Sequence, residues 1–156
     1  KDDIPQAGIE GNDITFVRAD LSELSLYDVE AKAKVLIGVP SLDTGVCQME
    51  TRKFNEQIAG LEGVRAFVLS KDLPFAMNRF CEAEGIQNVE IGSDYRYNDF
   101  INEYNTEILA GPFKGLSARA VFVLDSNNKV VYSQLVKEIA DEPDYDKAIA
   151  AVKSLL

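Results

Sequence analysis

Apolar positions fall in blocks whose spacing switches between strand-like and helix-like along the chain. Val35-Leu36-Ile37-Gly38-Val39 is continuously apolar and follows the charged stretch Glu30 to Lys34. Such a run marks a strand buried on both faces, and Pro40 ends it. From Gly45 to Ala59 the spacing becomes helical. Val46, Met49, Phe54 and Ile58 give an approximate apolar stripe, with Glu50, Arg52, Lys53 and Glu56 on polar positions. Gly60 and Gly63 bracket the exit. Val64 to Leu69 repeats the buried-strand pattern. Asp72-Leu73-Pro74 then opens a second helix, with Asp72 its expected cap and Pro74 in its first turn. This helix carries Phe75, Met77, Phe80 and Cys81 and stops at Gly85.

Shorter elements flank this centre. Ile14–Val17 and Ser22–Leu26 read as weak strands or a hairpin, Val89–Ile91 as a short strand, and Asn98–Tyr104 as a short helix. The loop Ala110–Gly115 leads to Ala118-Arg119 and two strands, Ala120–Leu124 and Lys129–Leu135, joined by the turn Asp125–Asn128. Tyr145–Leu156 is an amphipathic helix with Ala148, Ile149, Val152 and Leu155 on one side. The order β-α-β-α-β-α-β-β-α predicts an α/β fold with a central mixed β-sheet, a three-layer α/β/α sandwich of the thioredoxin-like class. With 156 residues, the expectation is a single domain spanning 1–156.

Composition narrows the function classes. The apolar fraction of 46% and charged fraction of 27% fit a globular domain. No apolar run approaches the roughly 18 residues of a membrane span. The net charge of −10 disfavours nucleic acid and anionic membrane surfaces, so neither is an expected partner. The chain starts at Lys1 and shows no basic-apolar leader pattern. The cytoplasm is therefore expected over the periplasm, with a processed or trimmed N-terminus as an alternative.

The chain has no histidine and two cysteines, Cys47 and Cys81. Cysteine proteases need an imidazole and a zinc site needs four ligands. Neither fits, and no metal or cofactor is expected. A thioredoxin-type exchange centre would call for Cys-x-x-Cys, which is absent. The two cysteines allow one intrachain pairing, read as a structural staple in a secreted protein or as redox chemistry in a cytosolic one. Cys47 falls in the first turn of the first long helix, where unpaired N–H groups and the dipole favour an anion. Arg119, at the mouth of a core strand, offers a permanent charge and a forked donor. Thr44, three residues before Cys47, can present a hydroxyl that both donates and accepts. Pro40 fixes the loop, removes a competing N–H and shields the sulfur.

Pro40-Ser41-Leu42-Asp43-Thr44-Gly45-Val46-Cys47 contains the Pro-x-x-x-Thr-x-x-Cys motif of peroxiredoxins. With Arg-Lys-Phe-Asn at 52–55 and Asp-Leu-Pro-Phe-Ala-Met-Asn-Arg-Phe-Cys at 72–81, it resembles the bacterial thiol peroxidase subfamily, the atypical two-cysteine peroxiredoxins. The likeness continues through Ala-Glu-Gly at 83–85, Gly-Pro-Phe-Lys-Gly-Leu-Ser-Ala-Arg-Ala at 111–120 and Glu-Pro-Asp-Tyr-Asp at 142–146. It covers nearly the whole chain from Ile4-Pro5-Gln6-Ala7-Gly8 onward. Members of that family usually begin with an extra hairpin. Only three residues precede Ile4 here, so that hairpin is expected to be missing.

The resemblance implies that Cys47 is the peroxidatic cysteine and Cys81 the resolving one. The two would form an intrachain redox disulfide, with Thr44, Arg119 and Pro40 completing the peroxide site. It implies reduction of hydrogen peroxide and of alkyl or lipid hydroperoxides in antioxidant defence. Thioredoxin would supply the electrons without a bound cofactor, and the protein would be a homodimer. Formation of the disulfide calls for local unwinding near the Pro40 loop or Gly85, because bonded cysteines need Cα atoms within about 7 Å. Two other readings use the same cysteines: a peroxide sensor relaying oxidation to a protein partner, and a secreted module with a structural disulfide. Phe75, Met77 and Phe80 either line an apolar mouth for bulky hydroperoxides or pack in the core or a dimer contact. Arg52 is expected on a solvated helix face.

Overall fold

Two successive strand–helix–strand units build the centre of the fold, and their shared direction puts both helices on one face of the sheet. The computed structural model describes residues 3–156. The missing hairpin expected ahead of Ile4 falls largely outside the described residues. In chain order the elements are β1 (Thr15–Val17), β2 (Glu23–Ser25), a single 3-10 turn (Leu26–Asp28), β3 (Ala33–Gly38), α1 (Gly45–Ile58), β4 (Val64–Ser70), α2 (Pro74–Glu84), β5 (Glu90–Ser93), α3 (Asp99–Glu103), β6 (Ala120–Asp125), β7 (Val130–Leu135) and α4 (Tyr145–Ser154). One seven-stranded sheet has the order β2-β1-β5-β4-β3-β6-β7. Strands β3, β4 and β5 are parallel. Strand β6 runs antiparallel to β3, β7 to β6, and β1 to both β5 and β2. The sheet is mixed and the fold α/β and thioredoxin-like, as the element order predicts.

Alternation along the strands sorts the core into two layers. Val35, Ile37, Ala66, Val68, Val121 and Val123 point to the face covered by α1, α2 and α4, with Phe54, Met77 and Ile149. Leu36, Phe67, Leu69, Phe122 and Leu124 point the other way, onto α3, the 3-10 turn and the N-terminal segment. Burying each large apolar side chain stabilises the fold by roughly 1.5–3 kcal/mol. The helices thus divide unevenly: both cysteines lie in the layer with three helices.

Three local expectations change. Lys34 belongs to β3 and is 1% exposed, rather than ending a charged lead-in. Its ammonium donates to Asn128 Oδ1 at 2.7 Å and Leu26 O at 3.3 Å, which makes its burial tolerable. The buried stripe of α1 is Cys47, Glu50, Thr51, Phe54 and Ile58, while Met49 is exposed, so Glu50 faces inward. Asp72 does not cap α2. The cap position is Leu73, with Pro74 at the start of the helix. The Asp72 side chain turns back toward the loop before α1. At the far end of α2, Gly85 takes the left-handed conformation that closes a helix.

Candidate active site

The loop between β3 and α1 places the first cysteine. Val39 N–H still bonds the end of β4 at Leu69 O, 3.0 Å. Pro40 is buried beyond it, and the chain then turns through Ser41 to Thr44. Thr44 occupies the cap position of α1 with extended backbone. The first bond of the α1 ladder runs from Gln48 N–H to Thr44 O at 3.1 Å. The N–H groups of Gly45, Val46 and Cys47 therefore stand outside the ladder, at the positive end of the helix.

Cys47 is fully buried, and Arg119, immediately before β6, is 2% exposed. Antiparallel pairing puts Ala120 opposite Gly38, next to the loop before α1, so two side chains 72 positions apart in sequence meet at one point. Arg119 Nη1 donates to Cys47 Sγ at 3.2 Å, and Nη2 donates to Ile139 O at 2.7 Å. An arginine keeps its charge under such burial, which gives the sulfur a cationic neighbour in a site closed to water.

Glu50 completes this cluster. It is one helical turn from Cys47, unexposed, with Oε1 3.7 Å from Arg119 Nη1. That is an ion-pair distance without a hydrogen bond. Burial outweighs Arg119 and pushes the carboxyl up to about 8, which favours its neutral form beside the arginine. Among the described residues, four buried side-chain polar atoms lack a partner, and three of them are Glu50 Oε1, Glu50 Oε2 and Arg119 Nε. Unpaired groups in a buried site are costly unless something binds there. Sequence reading missed Glu50 by assigning it to the polar face. Its i+3 spacing from Cys47 was the available signal.

The structure brings Cys47 and Arg119 into contact and sets Pro40 and Thr44 in the loop just before them. The Thr44 hydroxyl donates to Ser41 O at 3.0 Å. It is not directed at the sulfur, and its lone pairs remain available as acceptors. Cys81 is set apart on α2, half-buried, and both cysteines are free thiols. Burial pushes the Cys81 thiol up to about 11. A cavity of about 260 Å³ opens beside Cys81, walled by Arg18, Asn78, Ile86 and Glu90 among others. A second, apolar cavity of about 290 Å³ is lined by Ile108, Ala110, Pro112, Phe113 and Ile139, the last being the residue that holds Arg119. Met77 is buried in the core and Phe75 is 65% exposed, so the expected apolar trio on α2 does not act as a unit. Arg52 stays on the solvated helix face expected of it and there pairs with Glu84 at the end of α2. No group of three or more acidic or thiol side chains among the described residues is arranged to hold a metal ion. Among the described residues, no helix is long and apolar enough to cross a membrane.

A match to the family described as Redoxin spans residues 6–149. The chain belongs to the redoxin family. A thiol peroxidase of Leptospira interrogans is 52% identical over 155 residues, covering 98% of this chain and 91% of the relative. One from Aquifex aeolicus is 48% identical over 151 residues, covering 97% and 89%. The crystal structure of a peroxiredoxin-like protein from Aquifex aeolicus superposes with a TM-score of 0.92 at 47% identity, covering 97% of this chain and 90% of that one. Within the redoxins the chain therefore falls with the thiol peroxidases, enzymes of the peroxiredoxin type.

Proposed function

We propose that this redoxin reduces hydroperoxides at Cys47 and regenerates itself through Cys81. The observation that carries the reading is the 3.2 Å contact between Arg119 and the Cys47 sulfur inside a closed site. The Cys47 thiolate attacks the terminal oxygen of ROOH. The O–O bond breaks, Cys47 becomes a sulfenic acid, and ROH leaves after taking a proton. Arg119 and the N–H groups at the start of α1 stabilise charge on the departing oxygen. The Thr44 lone pairs accept from the peroxide proton. Pro40 closes the loop side against water. The apolar cavity beside Ile139 suits the alkyl part of an organic hydroperoxide.

Cys81 then attacks the sulfenic sulfur, forming the Cys47–Cys81 disulfide and releasing water. In the closed structure Cys81 is a poor nucleophile, because burial keeps it protonated at neutral pH. Unwinding that brings it to Cys47 also exposes it, so the fold makes Cys47 react first. A thioredoxin-class dithiol as reductant, a homodimer, and a cytoplasmic antioxidant role complete the reading. These rest on the resemblance of the motifs to bacterial thiol peroxidases.

The test is peroxide consumption with thioredoxin as reductant. Wild type sustains turnover, Cys47→Ser has none, and Cys81→Ser shows one rapid oxidation with little turnover. Full turnover by Cys47→Ser overturns the assignment. A wild type that stalls after one oxidation per site points to a sensor instead.

A further inference from the structure

Asp72, displaced from its expected role as a helix cap, makes an unusual set of contacts. Its Oδ1 accepts from Ser41 Oγ at 2.7 Å. Its Oδ2 accepts from Leu42 N–H at 2.7 Å and Ser70 Oγ at 2.8 Å. Its own N–H donates to Ser70 Oγ at 3.1 Å, and its carbonyl accepts from Ser93 Oγ. One residue thus gathers the loop before Cys47, the ends of β4 and β5, and the start of the helix that carries Cys81. Leu42, whose N–H is held, is itself 2% exposed in the core. The far end of α2 is tied separately to α1. Arg52 pairs with Glu84, and Asn55 Oδ1 accepts from Gln87 N–H at 3.1 Å and Asn88 N–H at 2.7 Å.

We propose that Asp72 is a positioning residue, a latch whose carboxylate holds the Pro40–Thr44 loop in the peroxide-reactive arrangement and whose release sets the rate at which Cys47 reaches Cys81. This rests on the reading of Cys81 as the resolving cysteine. Both bonds to the loop sit on the segment that must move, since the Cys47 sulfur is buried against Arg119 while Cys81 lies on another helix. Bonds to a carboxylate are stronger than those between neutral groups, so the latch favours the closed loop. Weakening it has opposite effects on the two chemical steps. The loop is less well held for attack on peroxide, and it opens more readily for attack by Cys81. Slow opening leaves the sulfenic acid exposed to a second peroxide, which oxidises it to sulfinic acid. The latch therefore also sets sensitivity to over-oxidation.

The experiment is rapid-quench thiol alkylation with mass spectrometry after hydrogen peroxide is mixed with wild type, Asp72→Asn, Ser41→Ala and Cys81→Ser. In Asp72→Asn the disulfide forms about tenfold faster once Cys47 is oxidised, the factor worth one charge-assisted hydrogen bond. The first oxidation slows, and less sulfinic acid accumulates at high peroxide. Ser41→Ala removes one contact and moves all three readouts the same way by roughly two- to threefold, which keeps the test decisive if Asp72→Asn folds poorly. Unchanged or slower disulfide formation in Ser41→Ala and in any folded Asp72→Asn overturns the latch while leaving Cys81 as the resolving cysteine. A wild type that forms no Cys47–Cys81 disulfide, or a Cys81→Ser that turns over normally, overturns the resolving role and the latch together.

Discussion

Two buried cations mark opposite ends of the same pair of strands, and they are treated differently. Lys34, paired across β3 and β6 with Leu124, donates to Asn128 Oδ1 and Leu26 O. Burial pushes its ammonium down from the ordinary lysine value, against the pull of Asp125 and Asp13. Arg119 lies at the other end, next to the Ala120–Gly38 pair. It holds a sulfur and a carbonyl but leaves Nε without a partner, beside a Glu50 carboxyl that is also unpartnered. The lysine is enclosed by fixed acceptors and joins the 3-10 turn to the β6–β7 turn. The arginine keeps unspent donor capacity in a water-poor site. The contrast distinguishes a buried charge whose donors are used within the fold from one that keeps a free donor beside Cys47, at the proposed peroxide site.

Replacing each cation by methionine sharpens this contrast most. Arg119→Met is expected to slow Cys47 oxidation by about 10²–10³-fold, the usual cost of a lost transition-state donor. Lys34→Met is expected to leave the oxidation rate of folded protein unchanged. It lowers stability by roughly 1–3 kcal/mol, because Asn128 Oδ1 and Leu26 O lose their buried donor. Equal rate losses in the two variants would erase the distinction.

A smaller effect comes from Glu50. Its carboxyl has a folded value of about 8, raised by burial above the ordinary 4.5. The folded state therefore binds more protons than the unfolded chain between these values, and this group makes stability fall as pH rises through that window. Above about 8 the carboxylate also competes for Arg119, with Glu142 and Tyr145 as its other titratable neighbours. Glu50→Gln is expected to flatten the decline in stability, read from urea unfolding between pH 5 and 8. The Gln variant's oxidation rate relative to wild type also rises as pH passes about 8. An unchanged slope contradicts a neutral, buried Glu50. Smallest of all is Arg52→Ala. Its pair with Glu84 is well exposed on both sides, so the unfolding midpoint should move by no more than about 1 kcal/mol equivalent.

Much of this molecule is readable from its apolar spacing, because strands buried on both faces leave continuous runs such as Val35–Val39. The β3-α1-β4-α2-β5 order and the closing hairpin follow from those runs and from Pro and Gly at their ends. What spacing could not show was the destination of polar side chains within apolar surroundings. By local pattern Lys34 ends a charged stretch, Glu50 sits on a polar helix position and Asp72 suits a helix cap. Each instead turns inward because a partner distant in sequence is there: Asn128, Arg119 and Ser41. Cys47 and Arg119 stood out through motif chemistry. Their contact is made by the β3–β6 register, which a single sequence does not print.

The most direct measurement traps sulfenic acid with a carbon nucleophile after one equivalent of hydrogen peroxide, in Cys81→Ser and in the Cys81→Ser, Arg119→Met double variant, and maps the label by peptide mass. Label on Cys47 in the first protein, with formation slowed about 10²–10³-fold in the second, is the predicted result. An unlabelled Cys47 in the first, or equal rates in the two, would contradict an arginine-activated peroxidatic cysteine.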